Sequence, residues 1–195
     1  MRVKKLFGLL CVLCCIALFA VPSQSVPNGT QRVTGTFYPM SGRTAGRSRP
    51  FTLIVSSYTA PNQVRELNEA LSRGGQDELL RAMSKMNAGR ITIGTGVGVT
   101  ANAIIADSWG DGGTKLTVLY ERWVRFFELR YGTRSQDYPV GYAELFLDRN
   151  GRGEGTMIPA ARVRLRGENT WEVEDFGVFP ARLIGLRSSG RVVPR

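Results

Sequence analysis

The chain has 195 residues, with 26 Lys and Arg against 16 Asp and Glu, a formal net charge of +10, and no histidine. That length supports one domain with a real core. The missing histidine excludes Ser-His-Asp and Cys-His catalysis, imidazole general bases and the usual zinc sites.

Residues 1–25 are predicted to be a signal peptide. A basic start (Arg2, Lys4, Lys5) precedes an apolar run over 6–20. That run is short for a membrane span and right for a secretory signal. The small residues Ser23 and Ser25 place cleavage after Ser25; cleavage after Ala20 and an uncleaved signal anchor are the competing readings. Cys11, Cys14 and Cys15 all lie in the run, and Leu13 before Cys14 fits a lipidation signal poorly. The exported chain is therefore expected to lack cysteine and to rest on its core alone. Its remaining lysines are Lys85 and Lys115.

Residues 26–50, rich in Gly, Ser, Thr, Pro and Arg, are predicted to be a basic flexible linker, with one short strand candidate at 33–38. Residues 51–58 (FTLIVSSY) read as the first core strand. Two helices are expected next. The first has Val64, Leu67 and Leu71 on one face, Thr59 or Asn62 as cap, and Gly74-Gly75 as its stop. The second has Leu79, Leu80, Met83 and Met86 on one face and ends at Gly89. Over 90–107 the apolar residues fall on odd positions, from Ile91 to Ile105, with Gly94, Gly96 and Gly98 between them. One long or broken strand with a constant apolar face is expected there. The run GTGVGV does not make a dinucleotide loop, because Val99 stands where the third Gly belongs.

A strand is predicted over 114–120, and 121–132 fits a helix or a strand. Residues 139–176 then hold two hairpins end to end. The first turns at Asn150-Gly151, a pair suited to positive φ at both central residues. A calcium-loop reading of Asp148-Arg149-Asn150 fails, because Pro159 occupies the position of the closing Glu. In the second hairpin Ala161, Val163 and Leu165 alternate with arginines, and Trp171 and Val173 alternate with polar residues. A three-residue loop pairs Arg166 with Thr170. Leu165 then faces Trp171, Val163 faces Val173, Arg164 faces Glu172 and Arg162 faces Glu174. A one-residue slip would set arginines against Trp171 and Val173. A last strand is expected over 179–186, and 188–195 is a basic tail closing a single domain over 51–187.

Over 51–187 the chain resembles a family of uncharacterised exported bacterial proteins. The segments that carry the resemblance are GGQDELL, SKMNAGRI, RSQDYPVGYAELFLDRNGRGEGTMIPAARVR and WEVEDFG. It implies a shared fold and brings no activity. The element order itself predicts an α+β fold: a mainly antiparallel, strongly curved sheet or barrel with a two-helix insertion after the first core strand. That order is similar to the order in fatty-acid-binding barrels, a likeness of order alone.

The expected function is an exported, non-catalytic binding or envelope-associated protein, periplasmic or extracellular, with no catalytic, metal or cofactor residues. A barrel lined by Tyr120, Trp123 and Phe127 would suit an apolar ligand; the competing reading is that these aromatics fill a solid core. The other function class is a carboxylate-dependent hydrolase drawing on Glu144, Asp148, Glu172 or Glu174. Residues 51–187 hold 17 basic against 16 acidic residues, so the excess charge lies on the flanks. Arg43, Arg47, Arg49, Arg191 and Arg195 are the expected contacts for an anionic envelope surface. A specific nucleic-acid site is not expected, since nothing there shapes a base-reading surface.

Overall fold

The computed structural model describes residues 30–40, 45–122, 138–166, 170–175 and 180–190. Among the described residues ten strands and one helix follow in chain order: β1 Gln31–Tyr38, β2 Arg49–Val55, α1 Pro61–Met83, β3 Gly89–Ile93, β4 Val99–Ala101, β5 Ala103–Trp109, β6 Gly113–Glu121, β7 Val140–Leu147, β8 Arg152–Arg166, β9 Thr170–Asp175 and β10 Ala181–Ser188. The strands form one antiparallel sheet in the order β4-β3-β2-β1-β10-β8-β7-β6-β5, with β9 paired to β8 beside that path. The two end strands of this order, β4 and β5, are separated in the chain by Asn102 alone. The sheet therefore curls until its ends meet, giving a nearly closed, barrel-like sheet.

Curvature comes from bulges, which add a residue to one strand and sharpen its twist. The β10 register slips between Leu183 and Leu186, where Gly185 has φ 62°. Both leucines consequently point inward. The β8 register slips where Ile158 and Ala161 face Tyr142 and Val140. Pro159, which has no N–H to give a ladder, sits in that slip.

Two apolar layers result. The barrel interior is filled by alternate residues of nearly every strand, among them Val33, Phe51, Leu53, Ile91, Ile104, Leu116, Leu145 and Leu183. The second layer lies outside the sheet. Leu67, Leu71, Leu79 and Met83 of α1 pack on Ala103, Leu119, Val140, Tyr142, Ala161 and Val163. The apolar face of the second hairpin is thus covered by the helix, with Trp171 and Val173 against the same layer. Its register is the one predicted: Leu165 faces Trp171, Val163 faces Val173, Arg164 faces Glu172 and Arg162 faces Glu174. The ion pair closes on the diagonal, with Arg164 Nη2 2.8 Å from Glu174 Oε2.

Four expectations are corrected. The helical insertion is one element, not two. Gly74 and Gly75 leave helical φ/ψ inside it, Gly75 at φ 62°. The kink delivers Gln76 to the edge of β8 beyond the reach of β7. There its side-chain amide donates to the Val163 carbonyl, and the Val163 N–H donates to Gln76 Oε1 at 3.1 Å. Second, the segment read as a flexible linker is part of the sheet: its strand candidate at 33–38 is β1, which lies between β2 and β10. Val33 is fully buried and Phe37 packs against the same core, so two apolar residues are enough to seat a strand when both neighbours need a partner. Third, residues 90–107 make three strands. Gly94 and Gly98, at φ 72° and 82°, turn β3 into β4, and the apolar face inverts at Asn102, so that Ala101 and Ile104 both point inward while Ala103 meets the helix. Fourth, the β7–β8 turn has positive φ only at Gly151. The Gly151 N–H donates to the Asp148 carbonyl, and the Asp148 N–H donates to the Arg152 carbonyl. This is a three-residue loop with glycine in the left-handed position.

Thr59 does not cap α1, which starts behind Ala60 with Pro61 in its first turn. Its hydroxyl accepts the Ile104 N–H at 2.9 Å and its own N–H donates to the Ile104 carbonyl at 2.8 Å. The exposed edge of β5 is covered in this way. Asn102 secures the corner. Its amide nitrogen donates to the Met83 and Met86 carbonyls at 3.0 and 3.3 Å, and its amide oxygen accepts the Glu121 N–H at 2.7 Å. One buried side chain thereby ties the helix end to the closing corner and to β6.

Candidate functional site

The interior offers no lining of the expected kind at Tyr120. Tyr120 is 6% exposed inside the core layer, and its ring lies across Gly141, where any Cβ would overlap it. Burial pushes its hydroxyl pKa well above the ordinary value. Trp123 and Phe127 fall outside the described residues.

The four carboxylates considered for hydrolysis are engaged or exposed. Glu144 Oε1 sits 2.6 Å from Lys115 Nζ and accepts the Tyr142 hydroxyl at 2.7 Å. Asp148 Oδ1 accepts the N–H groups of Asn150 and Arg152 at 2.8 and 2.9 Å. Those amides hold its carboxyl below the usual range. Glu174 pairs with Arg164 and accepts the Tyr138 hydroxyl at 3.0 Å. Glu172 is on the exposed face of β9. Among the described residues no group of three or more His, Cys, Asp or Glu is placed to hold a metal.

The unusual surface is the end of the barrel formed by the β1–β2 connection and the β3–β4 turn. The Gly94 N–H donates to the Pro50 carbonyl at 2.8 Å, which ties the β3–β4 turn to the start of β2. Val97, at the tip of the β3–β4 turn, is 86% exposed, and Met40 is 48% exposed. Tyr38 adds a third exposed apolar group at the end of β1. Arginines lie on the same segments. Arg47 and Arg49 are exposed, and neither has an ion-pair partner among the described residues. Arg90 donates to the Val97 carbonyl at 3.2 Å, which fixes the turn.

Beside this end opens a groove of about 800 Å³, lined by Lys85, Asn87, Arg90, Asn102, Glu121 and Arg122 among others. Its cations come from three elements: the residues after α1, β3, and the end of β6. The Arg122 guanidinium is held by the Tyr138 carbonyl at 3.4 Å. Glu121 is the single carboxylate among these lining residues.

Of the residues expected to contact a polyanion, Arg47 and Arg49 are therefore at this surface, Arg49 as the first residue of β2 rather than in a tail. Arg43, Arg191 and Arg195 lie outside the described residues. Sequence reasoning missed Val97, which fell on the supposed inward face of a continuous strand. The signal that would have found it is its position between Gly96 and Gly98: glycines on both sides mark a turn tip, where an apolar side chain has nothing to pack on.

The chain matches no family model, no curated protein and no solved structure. No activity or partner reaches it through a relative, and function has to be argued from these surfaces.

Proposed function

We propose that the protein is a non-catalytic, exported binding protein that docks on an anionic lipid surface of the envelope. The observation that carries the reading is the coincidence, at one end of the barrel, of exposed apolar tips with unpaired arginines. Val97, Met40 and Tyr38 project where solvent would disfavour them. Arg47 and Arg49 are exposed at the same end, and the cationic groove reaches Gly98 and Val99 of the β3–β4 hairpin. A soluble polyanion would use the cations alone. A bilayer uses both, because headgroups attract the arginines while shallow insertion removes the apolar tips from water. The filled interior and the engaged carboxylates support binding over hydrolysis. The signal-like start of the sequence supports export.

Co-sedimentation with vesicles tests the reading. Vesicles containing phosphatidylglycerol should retain the protein, and pure phosphatidylcholine vesicles should not. Val97→Asp should weaken retention at least several-fold without changing the melting temperature, since Val97 packs on nothing. Equal retention on both vesicle types, or an unaffected Val97→Asp variant, would refute lipid docking. Retention that depends on the arginines but not on Val97 would point to a soluble polyanion instead.

A further inference from the structure

A second surface, at the opposite end of β6, has different chemistry. The β5–β6 turn and the β7–β8 turn lie side by side there and enclose a groove of about 350 Å³. Its lining is Trp109, Asp111, Gly113, Asp148, Arg149 and Asn150. That volume is at the low end of small-molecule sites, which run from about 300 to 1,000 Å³. We infer that this groove binds a neutral saccharide, with the Trp109 indole as the platform under a sugar ring and Asp111 and Arg149 as the groups that read its hydroxyls.

Trp109 is 47% exposed, yet it is held firmly. Its ring meets Phe146 at 5.2 Å between centroids, tilted by 54°. The absent side chain of Gly113 leaves room beneath it, since a Cβ there would stand 3.3 Å from Trp109 Cε3 and 2.8 Å from the Trp109 carbonyl oxygen. Phe146 is in turn covered by Lys115 Nζ at 5.9 Å from its centroid, and Glu144 fixes that lysine. A large, rigid indole face is thus presented to solvent with little ordering left to lose on binding. The C–H face of a pyranose ring is apolar and flat enough to lie on it.

The rim supplies what the ring's hydroxyls need. Asp111 is an acceptor with two oxygens, and Arg149 is a donor with a forked guanidinium. Neither has a hydrogen bond or ion pair among the described residues. Asp148 is a different case: its carboxylate is occupied by the turn amides, so it shapes the loop that carries Arg149 and Asn150. Two carboxylates against one guanidinium give this groove a net negative lining. That balance disfavours phosphate and sulfate groups and accepts an uncharged polyol.

The test is titration of the full chain with cellobiose, maltose and N,N′-diacetylchitobiose, each to about 10 mM, tenfold above a weak Kd of about 1 mM. Binding is followed by NMR on the tryptophan indole N–H signals. The Trp109 signal, assigned by its loss in Trp109→Phe, should shift and saturate with at least one disaccharide. Asp111→Ala and Arg149→Ala, both in exposed turns, should each weaken that saccharide about tenfold or more. Pull-down on insoluble cellulose and chitin separates a polysaccharide ligand from a free chain end. Absence of a saturating shift with all three disaccharides, together with no retention on either polymer, overturns the inference. So does a shift that survives in both turn variants. Vesicle binding should be unchanged in Asp111→Ala, so failure of this site is distinguishable from failure of the lipid reading.

Discussion

The two ends of the barrel pose the same problem with opposite electrostatics. Each exposes apolar side chains that a folded chain has no internal reason to expose. At the β1–β2 and β3–β4 end, Val97 and Met40 share their segments with arginines: Met40 with Arg47 and Arg49, and Val97 with Arg90, which holds the Val97 carbonyl. At the β5–β6 and β7–β8 end, Trp109 is ringed by Asp111, Asp148 and Arg149. The support differs as well. Val97 projects from a glycine turn with nothing beneath it. Trp109 is wedged by Phe146 and Gly113. An exposed apolar tip among cations suits insertion into a yielding surface. A fixed indole among mixed charges suits a ligand of defined shape.

The largest effect should come from removing the first end's foundation. A chain starting at Phe51 lacks β1, which separates β2 from β10. It is expected to lose cooperative melting altogether, because two central strand edges and Val33's place in the core are exposed together. A truncated chain that melts like the whole one would mean that this end is an appendage and the comparison is between unlike things. Next comes Asn102→Ala. It strands the Glu121 N–H and the Met86 carbonyl, at about 1–3 kcal/mol for each orphan, and takes one of two donors from the Met83 carbonyl, which keeps the Met86 N–H. Chemical denaturation should show a loss of about 3 kcal/mol, whereas Arg149→Ala at the other end should show almost none.

Alkaline pH should act on the frame. Burial pushes the Tyr58 hydroxyl up to about 12, and burial raises those of Tyr120 and Tyr142 as well. A raised folded pKa means that the buried neutral form is favoured. That stability is fully present below the ordinary value near 10 and is lost as pH rises through the folded value. Denaturation midpoints should therefore hold steady to about pH 9 and fall steeply between about 10 and 12; a flat profile would place these hydroxyls in water. Removing both Arg47 and Arg49 should cost vesicle affinity about 2 kcal/mol, roughly 30-fold, at about 1 kcal/mol for each cation near the surface. The cost should shrink in high salt. The smallest effect belongs to Arg164→Ala. Its pair with Glu174 is half exposed on both sides, so the loss should stay under about 1 kcal/mol. A larger change in melting would show that the outer face of the second hairpin bears load for the helix.

What the sequence by itself determined was local and periodic. The alternation of arginines with apolar residues in β8 and β9, together with the length of the intervening loop, fixes the pairing of Arg166 with Thr170 residue by residue, since any slip buries a charge. Gly74-Gly75 marks the break in the helix, and the run of strands implies an antiparallel, curved sheet. Tertiary structure alone decided the rest. β1 was legible as a short strand candidate, but its place between β2 and β10 follows from the two open edges that it fills. The inversion at Asn102 depends on three backbone groups from distant segments converging on one amide. The two candidate sites likewise join turns that are far apart in sequence, Gly94–Gly98 with the β1–β2 connection and Gly110–Gly112 with Arg149–Gly151. A period along the chain records which face a residue takes. Which turns become neighbours is set by the shear of a closing sheet, and that is a property of the whole barrel.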